Sequence, residues 1–199
     1  MSETVRFHFD PLCPWAWQAA RWIREVAPHR DLTIEWRLFS LHLINEGNDD
    51  PLRNEHLQGT PALRTLALVR RSAGNEAVGR VYEEIGNRIH EVDEELSPSV
   101  VATALAAAGL DPNLVDAALG DDSTMDDVRA EHDAAVAEVG AFGVPTIVLS
   151  SGAGIFGPVV ATAPSGEHAA ELWDHVRYLI ETDGFFELKR ERDRKPATA

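Results

Sequence analysis

Residues 5–17 read VRFHFDPLCPWAW, and the fold is decided here because the periodicity of apolar residues changes within this stretch. Val5, Phe7 and Phe9 alternate with polar residues, which is typical of a strand with one buried face. Pro11 ends that strand, and Pro14 suits the first turn of a helix, where its missing N–H is not needed. Apolar residues then recur at helical spacing: Trp15, Ala19, Trp22, Ile23 and Val26.

The elements that follow are read from the same change of period. The first helix is expected to stop at Pro28, and a second strand is predicted over residues 32–39, completing a βαβ unit. Between residues 60 and 140 every clear period is helical. Residues 144–149 then form a β-rich run with a hairpin partner at residues 154–157. The last amphipathic helix is expected to end at Gly184.

This order predicts a thioredoxin-like α/β fold that carries an inserted helical domain. Removing the helical block leaves βαβ followed by α, ββ and α, which is the thioredoxin plan. We therefore divide the chain into a first thioredoxin-like part at residues 1–44, an inserted helical domain at 45–122 and a second part at 123–199. The final residues are highly charged and are expected to fray.

Composition bounds the partners and the compartment. The 199 residues include 33 acids against 18 bases, a net charge of −15, which disfavours binding to nucleic acid or to an anionic membrane. A single cysteine excludes an internal disulfide. The first ten residues lack the basic and apolar regions of a signal peptide, so a cytoplasmic protein is expected. A homodimer is left open.

Cys13 is the candidate catalytic residue because it precedes a helix and is presented by a loop. At the N-cap of a helix, unpaired N–H groups and the positive dipole end favour a thiolate. We therefore predict that the pKa of Cys13 is lowered below 7, from an ordinary value of about 8.5. The alternative is an inert cysteine in the core. Ala16 stands where a C-x-x-C motif would place its second thiol.

The second candidate element is Val144-Pro145-Thr146. A proline before an apolar strand is unusual. A cis peptide there would present the backbone of Val144 to an extended ligand, whereas a trans proline would merely start the strand; the sequence leaves both open.

Five motifs in chain order carry a family resemblance: FDPLCPWAW at 9–17, GNRIH at 86–90, GVPT at 143–146, FGPV at 156–159 and FFELKR at 185–190. The chain resembles the DsbA-like branch of the thioredoxin superfamily and, within it, the actinobacterial mycothiol-dependent nitroreductases. The resemblance implies a low-molecular-weight thiol cofactor, with mycothiol expected, and reduction of disulfides or nitro compounds in the cytoplasm.

Several further residues are candidates for the site because of their position and chemistry. Pro14, Trp15 and Ala16 support Cys13 in the first loop, and Val144 and Pro145 support it from the second. His90 is either a group that holds a thiolate or relays a proton, or a cation at a helix C-terminus. The candidate contacts to the thiol cofactor are Arg88 and Thr146; the alternative for Arg88 is a solvated surface charge.

The chain departs from the family pattern C-P-W-C at Ala16. A two-cysteine cycle is therefore excluded on chemical grounds. Either Cys13 forms a mixed disulfide that a second small thiol resolves, or the chain is a variant that traps this adduct. Two rivals remain: an enzyme like the kappa-type glutathione transferases and 2-hydroxychromene-2-carboxylate isomerases, which place a serine where Cys13 stands, and a redox-inactive binding protein. The spacing of histidines and acids predicts no metal site, and the absence of phosphate-binding glycine motifs predicts no nucleotide.

Overall fold

The structure is a computed structural model that describes residues 3–49 and 51–197. Four strands form one mixed sheet in the order β2-β1-β3-β4. β1 pairs in parallel with β2, and the antiparallel pairs are β1 with β3 and β3 with β4. The strands are β1 (Glu3–Phe9), β2 (Leu32–Leu38), β3 (Thr146–Leu149) and β4 (Gly154–Phe156). The predicted βαβ unit and the C-terminal hairpin are both confirmed.

The other regular elements of the described chain are helices, and no strand lies among those between β2 and β3, as predicted. Their bounds are α1 (Pro14–Arg30), α2 (Leu41–Ile44), α3 (Arg53–Gln58), α4 (Thr60–Gly86), a π-helix (Asn87–Glu91), α5 (Pro98–Ala107), α6 (Leu114–Gly120), α7 (Ser123–Val139) and α8 (Gly166–Glu181). The DsbA-like, thioredoxin-like architecture with helices between its halves is present. The boundaries at residues 44 and 122 stay a prediction.

Two helix limits, the ends of α1 and α8, differ from the predicted ones. α1 continues past Pro28 to Arg30, because a proline in the last turn removes one backbone hydrogen bond without preventing helical dihedrals. α4 is broken at Gly74, whose φ of 82° lies in the region that favours glycine. α8 ends at Glu181, short of Gly184.

One face of β1 packs against the aromatic side chains of α4 and β2. Val5, Phe7 and Phe9 are fully buried on one face. The ring of Phe9 stacks on Tyr82 of α4 with centroids 3.8 Å apart, and both Phe7 and Phe9 meet Trp36 of β2 edge-on. This aromatic cluster joins the sheet to α4, so the helical block shares the core of the thioredoxin-like part.

The outer edge of β2 is closed by side chains of the helices. Asn75 of α4 accepts a hydrogen bond from the N–H of Trp36 and donates one to the carbonyl of Ile34, both at 2.8 Å. Glu131 of α7 accepts from the N–H of Leu38 at 2.6 Å. These side chains satisfy backbone groups that an edge strand leaves open, which disfavours pairing with another chain there. Within the described residues, no helix is both long and apolar enough to cross a membrane.

Candidate active site

Cys13 caps the N-terminus of α1, as predicted. Its Sγ lies 3.4 Å from the backbone nitrogen of Ala16 and accepts a hydrogen bond from it. The thiol also lies 3.5 Å from the carbonyl oxygen of Val144, to which it can donate. The Val144–Pro145 peptide bond is cis, so of the two alternatives left open by the sequence the structure has the first. The loops of residues 11–14 and 143–146 therefore meet at the sulfur.

The predicted pKa of Cys13 is wrong in direction. Cys13 is only 7% exposed, and burial raises the pKa of its thiol to about 11. The hydrogen bond from Ala16 lowers the pKa, but it is outweighed by burial, while the charge of Asp10 raises the pKa further. Sequence spacing reveals the helix start that stabilises a thiolate, but it does not reveal how little water reaches the sulfur.

Asp10 carries a buried carboxyl group immediately before the cysteine loop. Sequence reasoning assigned it no role. One oxygen accepts from the N–H of Leu12 at 3.0 Å and the other from the N–H of Leu41 at 2.8 Å. Burial raises the pKa of Asp10 to about 6 despite these two bonds. Asp10 thus ties the cysteine loop to the start of α2.

The π-helix Asn87–Glu91 braces α1 from the side of the helical block. His90 Nε2 lies 2.9 Å from the carbonyl oxygen of Pro11, to which it donates when it carries the ring proton. Glu91 accepts a hydrogen bond from Trp17 Nε1 at 2.6 Å. Burial lowers the pKa of His90, which favours the neutral ring at pH 7. His90 therefore holds the cysteine loop through its backbone, and its interpretation as a helix-end cation is disfavoured.

The two residues proposed as cofactor contacts have partners within the protein. Arg88 forms an ion pair with Glu94 at 3.1 Å. The hydroxyl of buried Thr146 donates to the carbonyl of Gly143 at 2.8 Å, which shapes the cis-proline loop. Their role toward a cofactor stays a prediction.

The residues beside Cys13 divide into a buried and an accessible set. Ala16 and Trp17 are buried, and a Cβ on Gly86 would lie 2.2 Å from the Trp17 ring, so the ring packs directly on the backbone of α4. Trp15 is partly exposed, and the guanidinium carbon of Arg192 lies 4.8 Å from its ring centroid. The C-terminal segment of residues 185–197, which we call the tail, thus reaches the site. Periodicity alone could not have shown this contact.

His8 is one of the polar residues that alternate with the buried ones in β1, yet it does not lie at the surface. The side chain is 3% exposed on the face of β1 opposite to Phe7, where α7 covers the sheet. Burial and the charges of Arg6 and Arg37 lower the pKa of His8 to about 4. A pocket of about 230 Å³ lies beside it, on the sheet face covered by α7. No group of three or more potential metal ligands occurs among residues 3–49 and 51–197.

An N-cap cysteine facing a cis-proline loop, on a four-stranded sheet with inserted helices, defines a thioredoxin-fold protein of the DsbA-like class. The family model described as "Rv2466c-like: Mycothiol-dependent nitroreductase Rv2466c" matches residues 12–190. The chain therefore belongs to this family of oxidoreductases, which confirms the predicted resemblance.

Individual proteins extend this comparison. The chain is 40% identical over 190 residues to the uncharacterized protein Rv2286c of Mycobacterium tuberculosis (strain ATCC 25618 / H37Rv), covering 94% of this chain and 81% of that protein. A probable DsbA oxidoreductase, SCO1869 from Streptomyces coelicolor, superposes with a TM-score of 0.61 at 23% identity, over 96% of this chain and 94% of that one. A 2-hydroxychromene-2-carboxylate isomerase superposes with a TM-score of 0.59 at 19% identity, over 88% and 95%. At these identities the two structures share the fold, and the fold does not separate reductase from isomerase.

Proposed function

We propose that the protein is a thiol-dependent oxidoreductase in which Cys13 works without a second cysteine and mycothiol is the low-molecular-weight thiol. The observation that carries the proposal is the placement of Cys13 Sγ between the first amides of α1 and the carbonyl of Val144, at 3.4 Å and 3.5 Å. The membership of a mycothiol-dependent nitroreductase family supports the choice of thiol.

The proposed cycle uses two thiol–disulfide exchanges. The Cys13 thiolate attacks the mycothiol sulfur of a mixed disulfide, forms a Cys13–mycothiol disulfide and releases the other half as a thiolate. A second mycothiol thiolate then attacks the mycothiol sulfur of that adduct, which returns Cys13 and yields mycothiol disulfide. In the net reaction, the mixed disulfide and one free mycothiol give the substrate thiol and mycothiol disulfide. For a nitro substrate, the first step differs: the thiols of Cys13 and one mycothiol together give up two electrons and two protons and form the Cys13–mycothiol disulfide, while the nitro group loses one oxygen as water and becomes a nitroso group. The second mycothiol then resolves the adduct as before.

The rate of this cycle depends on the fraction of Cys13 that is ionised. Only the thiolate attacks, and with a pKa of about 11 the thiolate is a minor species at neutral pH. The hydrogen bond from Ala16 stabilises that minor form, while the carbonyl of Val144 accepts from the protonated thiol. We therefore expect the reaction to quicken as the pH rises.

Intact-protein mass spectrometry tests the proposal. The reduced protein is mixed with mycothiol disulfide, and its mass is expected to increase by one mycothiol residue. Cys13→Ser is the matched control and should gain no mass and lose turnover of disulfide and nitro substrates. Retained turnover in Cys13→Ser would instead support a transferase or isomerase, and a wild-type chain without an adduct would support a binding protein.

A second variant separates the one-cysteine cycle from a two-cysteine cycle. Ala16→Cys places a thiol at a residue whose backbone nitrogen already lies 3.4 Å from Cys13 Sγ. In this variant the new thiol is expected to displace mycothiol from Cys13 and to form an internal disulfide. The product should therefore be two hydrogen atoms lighter than the reduced variant and carry no mycothiol. An equally persistent adduct in the variant would contradict the role given to Ala16.

A further inference from the structure

The tail is the most basic segment of an acidic protein. Residues 189–195 read KRERDRK and hold five of the 18 basic residues of a chain whose net charge is −15. Most of the surface therefore repels anions. The basic tail, which lies next to Cys13, instead attracts anions to the surface around the cysteine.

The described end of the tail is anchored to α1 by hydrogen bonds. Gln18, which is buried, donates to the carbonyl of Ala197 at 2.8 Å and accepts from the N–H of Ala163 at 2.9 Å. The N–H of Ala197 donates to the carbonyl of Ala161 at 2.7 Å. These bonds hold Ala197 beside Gln18 of α1, the helix that Cys13 caps.

Arg192 is the tail residue that faces the site. Its guanidinium lies 4.8 Å from the ring centroid of Trp15, two residues after Cys13. Its positive charge is close enough to lower the pKa of the Cys13 thiol, although burial outweighs this effect. Arg192 therefore lies within electrostatic reach of the reacting sulfur.

The guanidinium of Arg192 keeps donors for a ligand. A guanidinium stacked on an aromatic ring directs its N–H groups outward in its own plane, where a carboxylate can accept two of them. Arg192 is exposed, and none of the ion pairs within residues 3–49 and 51–197 includes it. The neighbouring Arg194, by contrast, is paired with Asp193 at 2.8 Å.

We propose that Arg192, stacked on Trp15, selects substrates that carry a carboxylate or another anion next to the disulfide or nitro group attacked by Cys13. Trp15 supports the flat part of such a substrate, and Arg192 pairs with its charge. This inference rests on the proposed function, because it assigns the substrate class of the same cysteine.

Two aromatic disulfides test the selection. 5,5′-Dithiobis(2-nitrobenzoate) carries two carboxylates, whereas 4,4′-dithiodipyridine is uncharged at pH 8. With either reagent, the Cys13 thiolate forms a mixed disulfide with one half and releases the other half as a coloured thiolate or thione. The measured quantity is the ratio of the two second-order rate constants, anionic over neutral, because changes in thiolate fraction cancel in it.

The expected result is a loss of preference confined to one arginine. Arg192→Gln should lower the anionic-to-neutral ratio about fivefold, which corresponds to a partly exposed ion pair of about 1 kcal/mol. Arg194→Gln removes the same charge from the same tail and should leave the ratio within about twofold of wild type, since that charge is already paired.

Three outcomes separate the possibilities. An equal fall of the ratio in both variants would show a general charge effect and overturn the role of Arg192. An unchanged ratio in Arg192→Gln would overturn it as well. A wild-type protein that reacts with neither reagent would instead refute the nucleophilic role of Cys13, and with it the proposed function.

Discussion

The two sides of Cys13 are built differently. Beneath it lies what we call the floor, made of Asp10, Trp17 and Gly86, in which every side chain is buried and packs on backbone or accepts from it. Beside it lies the rim, made of Trp15 and the tail, which is exposed and reaches the site through one ring contact and the hydrogen bonds of Ala197. From this difference we expect the floor to determine stability and, under the proposed function, the rim to determine which substrate reacts.

The largest effect is expected where the floor is most crowded. In Gly86→Ala, the new Cβ would lie 2.2 Å from two carbons of the Trp17 ring, so the ring or α4 must shift. We expect the free energy of unfolding to fall by about 3 kcal/mol, measured by urea denaturation. Gly120→Ala, on α6, meets no atom within 4 Å and should change stability by less than about 0.5 kcal/mol. Equal effects of the two changes would contradict the packing described for the floor.

A smaller effect, dependent on pH, is expected at Asp10. Asp10→Ala leaves the buried N–H groups of Leu12 and Leu41 without their carboxylate and should cost about 2 kcal/mol at pH 7. The pKa of Asp10 in the folded protein is about 6, above its ordinary value of 3.8, so the folded state binds the proton more tightly than the unfolded state. The stability that comes from this tighter proton binding is fully present below about pH 4, and it is lost as the pH rises through 6.

The penalty of Asp10→Ala should therefore grow on acidification. Between pH 7 and pH 4 the difference in unfolding free energy between wild type and variant is expected to increase by about 2.4 kcal/mol. Asp116→Ala, an exposed acid on α6, is the control for general acid effects. A penalty that shrinks at low pH would mean that the carboxyl group of Asp10 is not desolvated in solution.

The smallest effect on stability is expected at the rim. Deleting residues 186–199 removes the hydrogen bonds of Ala197 and the contact between Arg192 and Trp15, and should cost about 1 kcal/mol. The same deletion should lower the anionic-to-neutral ratio of rate constants at least as far as the fall of about fivefold expected for Arg192→Gln. A loss of unfolding free energy as large as that of Gly86→Ala would show that the tail contributes to stability as much as the floor does, and would contradict the division between floor and rim.

The comparison also explains which parts of the site could be predicted. Pro11, Cys13 and Pro14 encode a strand end and a helix start through local backbone preferences, and the structure has both. The burial of His8 could not be read from the alternation of β1, because α7, more than a hundred residues later, covers that face. The π-helix has no periodic signal of its own, so the contact of His90 with Pro11 was not foreseen.

By itself, the sequence determined the order of strands and helices, the cysteine at the first turn of α1 and the absence of a second thiol, because these depend on neighbouring residues and on composition. Only the tertiary structure decided the state of that cysteine. Its pKa is set by how much water reaches the sulfur and by the charges of Asp10 and Arg192, the latter brought close by folding from the far end of the chain. Desolvation depends on surfaces that meet in space, and no local pattern records them.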